Sequence, residues 1–141
     1  MAPAATTEEG FEVWPQLSGG KHEVCKWKLS TVYMMDDTSF PCWLVLVPRR
    51  KDAVEMFDLS IEDQEELLVE MRKASTVLQD LFKPTKMNVA AIGNMCRQLH
   101  IHVTARVEGD PAWPGPCYGS PMVAFDAAGL EERLKLLREH L

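Results

Sequence analysis

The stretch "WLVLVP", Trp43 to Pro48, is apolar at every position. A strand with one wet face alternates apolar and polar side chains, so a run without alternation has to be covered on both sides. It predicts a central strand between two packed layers, ending at Pro48, which has no N–H to give to a ladder. Val24 to Met35, by contrast, carries apolar, aromatic or β-branched residues at alternate positions (Leu29, Thr31, Tyr33, Met35), the pattern of a half-buried strand. With "DDTSFP" reading as a turn between them, the two strands are expected to form a hairpin. The chain has 141 residues, enough for one core and not two, and its 46% hydrophobic and 26% charged residues are those of an ordinary globular domain. Its longest apolar run, Trp43 to Val47, is far below the roughly 20 residues that span a bilayer, so no membrane segment is expected.

Ser60 followed by Asp63 and Gln64 has the form of a helix start, since a serine oxygen can accept from free first-turn amides and acidic residues suit the positive end. Leu67, Leu68, Met71, Ala74, Leu78, Leu81 and Phe82 then recur with the 3.6 period and Pro84 closes the segment, which predicts a long helix from Ser60 to Phe82 with one face on the sheet. "MNVAAIG", Met87 to Gly93, suits a third strand, Asn94 to Arg97 a turn, and Gln98 to Arg106 a fourth strand. After the proline- and glycine-rich "EGDPAWPGPCYG", Leu130, Leu134, Leu137 and Leu141 mark a short C-terminal amphipathic helix. The order of elements is that of an α+β domain with an antiparallel sheet.

A net charge of −6, from 21 acidic against 15 basic residues, offers no basic surface for a nucleic-acid backbone, so no nucleic-acid partner is expected. "MAPAATTEEG" has neither a basic start nor an apolar stretch; it reads as a mobile tail over residues 1–10, ahead of one domain over 11–141 in a cytoplasmic chain. Cys25, Cys42, Cys96 and Cys117 contain no Cys-x-x-Cys pair and predict reduced, mostly buried thiols, with neither a zinc ribbon nor a disulfide framework.

The chemistry concentrates in "RQLHIHVTAR". Side chains alternate across a strand, so Gln98, His100, His102 and Thr104 share one face while Leu99, Ile101, Val103 and Ala105 supply core on the other. Neighbours on one face stand roughly 6 to 7 Å apart, close enough to touch one ligand. Surface histidines on a solvated strand would give the same pattern. What favours an active face is Gly93-Asn94 just before it, where glycine permits close backbone approach and successive amides can cradle a phosphate. A neutral imidazole there can attack phosphorus if a backbone carbonyl fixes its other nitrogen.

"KMNVAAIGNMCRQLHIHVTAR", Lys86 to Arg106, resembles the signature of the histidine triad (HIT) superfamily, three histidines at alternate positions with apolar residues between. Here Gln98 takes the first position, as in a bacterial branch of that superfamily. "YMMDDTSFPCWLVLVPRR" resembles the branch's ribose-site hairpin and "DPAWPGPCYG" its tryptophan-proline loop, so that the likeness covers about residues 11–120. The resemblance implies a HIT-like fold with a sheet of about five strands. It implies that His100 is the nucleophile toward the α-phosphate of a nucleotide and that His102 contacts the phosphate oxygens. Gln98 would orient the phosphate without acting as an acid. Asp36, or Asp37 if the turn is shifted by one, would meet the ribose hydroxyls, and Asn88, Gly93 and Asn94 would hold the phosphates. Trp43 and the "PRRK" segment stand where many members carry further histidines. A homodimer through the long helix and its neighbouring strand is implied too, with Met71, Leu78 and Phe82 adding apolar area to that contact as well as to the core.

The expected function is hydrolysis or transfer of a nucleoside monophosphate group from dinucleoside polyphosphates, nucleoside phosphoramidates or adenylates, through a nucleotidyl-histidine intermediate and without a cofactor. The alternative is a nucleotide-binding protein with little turnover. A His-x-His strand can also begin a metal site, but no third ligand stands in spacing with His100 and His102, and no metal is assigned. Arg49, Arg50 and Lys51 read as a solvated loop or a greeting for polyphosphate and receive no role. Trp113 reads equally as a loop anchor or as a contact for nucleotide or partner. Cys96 is expected to be buried and away from the imidazoles.

Overall fold

A computed structural model describes residues 8–141, so the first seven residues of the tail expected over 1–10 lie outside the described residues. Of its remaining three residues, Glu8 has a carboxylate oxygen 2.9 Å from Arg49 Nε. Five strands, β1 (Lys21–Lys26), β2 (Ser30–Met35), β3 (Cys42–Pro48), β4 (Lys86–Ala90) and β5 (Ile101–Arg106), form one antiparallel sheet in the order β1-β2-β3-β5-β4. Three helices complete the domain: α1 (Pro15–Ser18), α2 (Ile61–Phe82) and α3 (Ala127–His140). The α+β class and the β2–β3 hairpin are as expected, and β3 is buried along its whole length.

The stretch Val24–Met35 is not one strand but parts of two. The chain folds back at Trp27–Leu29, where the Leu29 and Ser30 amides donate to one Glu70 carboxylate oxygen (2.8 and 3.3 Å) and Arg49 Nη2 donates to the Trp27 and Lys28 carbonyls (2.8 and 3.1 Å). The turn therefore owes its stability to side chains about 20 and 40 residues away, not to turn residues of its own. β5 begins at Ile101, not Gln98, because the Leu99 amide donates to the Ala53 carbonyl (3.0 Å) and leaves the ladder. β4 ends at Ala90, three residues before Gly93.

α2 starts where expected, with Ser60 Oγ accepting from the Asp63 amide at 3.1 Å, and ends on a left-handed Lys83 before Pro84. Leu67, Ala74 and Leu78 are fully buried against one sheet face, joined by Leu99, Ile101, Val103 and Ala105 of the predicted core set and by Leu137 of α3. Leu78 is thus spent inside the protomer, and Met71 and Phe82 pack half-buried against the same core. The opposite sheet face carries Tyr33, Met35, Trp43, Val45 and Val47 beneath Leu17 of α1 and Cys117 of the proline-rich loop. Arg49 and Arg50 are structural, Arg50 forming a bidentate pair with Asp63 (2.6 and 3.0 Å). No helix among the described residues is long and apolar enough to cross a membrane.

Candidate functional site

A cleft of about 490 Å³ opens on the second face, between α1, the Ile92–Cys96 loop and the Tyr118–Met122 segment, and His100 and His102 line it. A larger hollow, about 600 Å³, lies along α3 and contains neither imidazole nor thiol among its lining residues. The register explains why the histidines face inward to the cleft. Val45 pairs with His102 and Trp43 with Thr104, so these side chains rise from one face while Leu44, Leu46, Ile101 and Val103 go to the other core.

The two imidazoles are held in opposite tautomers. His100 Nδ1 lies 2.7 Å from the Gln98 carbonyl, which can only accept, so Nδ1 carries the proton and Nε2 keeps its lone pair. His102 Nδ1 lies 3.0 Å from Trp43 Nε1, an indole N–H that can only donate, so the His102 proton sits on Nε2. The rings stand 5.0 Å apart, centroid to centroid, and present one basic nitrogen beside one N–H donor. Burial lowers the pKa of His100. Burial, then the neighbouring His100 and Lys21, pushes His102 down to about 4, so both rings are neutral at pH 7.

Around them, Gly93 has φ +101°, and a Cβ there would stand 2.9 Å from the Cys96 carbonyl, so the loop closes only with glycine. Tyr118 packs on His102 at 5.1 Å and on Trp43 at 5.9 Å between ring centroids. Its hydroxyl is buried and has no hydrogen-bond partner among the described residues. Burial raises its pKa, so it remains a donor at neutral pH.

A model of the HIT domain matches residues 21–109, well over half of the chain. The chain belongs to the histidine triad superfamily. It is similar to three solved HIT structures: a protein from Bradyrhizobium japonicum (37% identity over 92% of this chain and 97% of that one, TM-score 0.88), one from Sinorhizobium meliloti (32%, 96% and 100%, TM-score 0.90) and one from Marinobacter aquaeolei (37%, 93% and 96%, TM-score 0.89). No curated protein matches it.

Of the residues expected in the HIT site, the structure brings His100, His102, Gly93 and Asn94 together in the cleft. Gln98 is only 7% exposed and does not line it; its amide accepts from the Trp14 N–H (2.9 Å) and donates to the Glu12 carbonyl (2.7 Å), leaving its backbone carbonyl for His100. Asn88 is also outside the lining, its Oδ1 accepting from Arg106 Nη1 at 2.9 Å. Asp36 and Asp37 lie beside the cleft and bind the 123–125 backbone instead. Trp113 lies outside the lining, its ring beneath the Arg106 guanidinium at 5.8 Å, as a loop anchor would be. Cys96, expected to be buried and away from the histidines, is half-buried and lines the cleft with them because the loop curls over His100. Cys42 and Cys117 are buried and Cys25 is half-buried, all as free thiols.

Sequence reasoning missed Lys21 and Tyr118. Lys21 opens β1 and reaches the cleft only because the sheet places that strand's end beside α1. Nothing local distinguishes it from a surface lysine. Among the described residues no group of three His, Cys, Asp or Glu is arranged to hold a metal ion.

Proposed function

We propose that this HIT protein is a nucleotide hydrolase or nucleotidyl transferase in which His100 Nε2 attacks the α-phosphate of a nucleotide. The observation that carries the reading is the 2.7 Å bond from His100 Nδ1 to the Gln98 carbonyl, which leaves a basic nitrogen in the cleft. The Nε2 lone pair forms an N–P bond as the bond from phosphorus to the leaving group breaks; the leaving group departs with the electron pair and takes a proton from solvent. Water then attacks the same phosphorus, loses its proton to solvent, and the N–P bond breaks to release the monophosphate and the neutral imidazole. His102 Nε2–H donates to a phosphoryl oxygen as charge develops there. Dinucleoside polyphosphates, nucleoside phosphoramidates and adenylates all present the required α-phosphate.

One observation favours binding with little turnover as the second reading. Gln98 is committed to residues 12 and 14, and His102, with its pKa at about 4, is neutral at pH 7 and carries only its Nε2 proton. A screen of the three substrate classes on wild-type and His100→Ala protein separates them. Turnover that falls by at least about 10³-fold in the variant, with AMP still bound, supports the nucleophile. Undiminished turnover in the variant overturns it, and AMP binding without turnover in either protein selects the second reading.

The proposal includes a two-fold dimer across β4, the edge of the sheet, where Val89 is exposed, with Leu68 and Val69 of α2 exposed as well. Light scattering should give twice 15.9 kDa; a monomer at micromolar concentration removes this part.

A further inference from the structure

Among the described residues, none that lines the cleft carries a carboxylate. Its walls are apolar (Leu17, Met35, Trp43, Ile92, Met122 and the Tyr118 ring), and Lys21 is the one charged side chain among the described residues that line it. The acidic residues nearest in sequence are used elsewhere. Asp36 Oδ1 accepts from the Phe125 amide at 2.9 Å and its Oδ2 lies 3.2 Å from His22 Nε2. The Phe125 amide above all holds that carboxyl below the usual carboxylate range, so it stays ionised on these partners. Asp37 is 2% exposed, and its Oδ1 accepts from the Ser39 and Val123 amides at 2.9 and 3.1 Å. Together they buckle the 123–125 segment over the end of β2, and Met35 stands in the cleft in their stead.

A vicinal diol is a pair of donors, read tightly by a pair of acceptor oxygens with charge behind them. Here, besides His100 Nε2 and the Tyr118 hydroxyl, the neutral side-chain acceptor oxygens in the lining are those of Gln16, Asn94 and Ser120. Such contacts, made in the presence of water, discriminate by no more than about tenfold. The phosphoryl group is served differently. Lys21 is half-buried, and its Nζ is tethered 3.3 Å from the Gly19 carbonyl, which spares it much of the ordering a free surface lysine would need. It lies close enough to both imidazoles for its charge to lower their pKa values.

We propose that the cleft selects phosphate compounds by the phosphoryl group, held by Lys21 beside His100 and His102, and by a flat or apolar group against the Met35–Trp43–Tyr118 wall, without reading the sugar hydroxyls. This rests on the α-phosphate reading above and narrows it: ribonucleotides, deoxyribonucleotides and aryl phosphates enter on similar terms.

The test is calorimetric titration of the full chain with AMP, 2′-deoxy-AMP and phenyl phosphate, on wild type, Lys21→Gln and Met35→Asp, with folding checked by thermal melts. The expected wild-type affinities for AMP and its deoxy analogue agree within about threefold. Lys21→Gln should weaken all three ligands alike, by about tenfold, and should raise the titration of the cleft histidines measured by NMR. Met35→Asp should create a preference for AMP over the deoxy form. A wild-type preference for AMP of thirtyfold or more overturns this inference and leaves the α-phosphate reading intact, as does unaltered binding in a folded Lys21→Gln. Binding of phenyl phosphate without either nucleotide removes the nucleotide reading and with it the claim that nucleotides and aryl phosphates enter alike, and binding of none of the three likewise removes both.

Discussion

At the scale of single residues, the site's chemistry follows from which partner each imidazole nitrogen meets. A carbonyl gives His100 its basic Nε2, and an indole gives His102 its Nε2–H. Trp43 therefore acts through His102, as a positioning residue. Replacing it with Phe removes the only N–H that fixes the ring. In Trp43→Phe, nitrogen NMR should show His102 as a mixture of tautomers with its pKa raised toward the ordinary value, and stability should fall by about 1 kcal/mol. A single Nε2–H tautomer surviving in the variant would contradict the assignment. The depressed pKa of about 4 also sets a pH dependence. Between about 4 and the unfolded value near 6.5 the unfolded chain binds more protons, so stability is full above pH 6.5 and declines as pH falls toward 4, by on the order of 3 kcal/mol at 1.36 kcal/mol per unit. Urea midpoints at pH 7.5 and 4.5 measure this, and equal midpoints would contradict it. His100 and His102 were legible as a pair by alternation alone, and Gly93 and Asn94 by turn chemistry. The opposite tautomers were not, because they depend on Trp43, 59 positions away.

Among elements, those with local causes were legible and those with distant causes were not. β3 follows from an unbroken apolar run, and α2 from a serine cap, a 3.6 period and a terminal proline. The break between β1 and β2 follows from neither, since Trp27-Lys28-Leu29 contains no turn former and is held by Glu70 and Arg49. Glu70 is buried, and one of its oxygens receives both Leu29 and Ser30 amides. Glu70→Ala should leave those amides unpaired and cost about 2–4 kcal/mol, while Glu70→Gln, which keeps an acceptor there, should cost less. Denaturant unfolding of the two variants decides this; a loss in Glu70→Ala below about 0.5 kcal/mol would show that the turn closes without it. Gln98 makes the same point within the site. Its place on the face of His100 was readable, but its amide is drawn to the backbone of residues 12 and 14, a segment that no periodicity connects to the motif.

Over the whole molecule, one sheet serves two cores with different duties. The face under α2 and α3 is filled by aliphatic side chains and supplies rigidity. The face under α1 and the proline-rich loop is covered incompletely, and in the gap the histidines meet solvent. The loop is itself secured by the buried pair of Arg106 and Asp110, with contacts of 2.6 and 2.8 Å. That division places a neutral, oriented imidazole, the nucleophile of the proposed reaction, immediately before β5 and backed by packed core, where its position is fixed before any ligand arrives. The claim is tested most directly by acid-free quenching of the protein during turnover of an adenosine phosphoramidate, followed by mass spectrometry of intact protein and peptides. The account predicts a transient adenylyl mass on the peptide containing His100, absent in His100→Ala and retained in His102→Ala; an adduct on another residue, or turnover with no adduct at any time point, would contradict it.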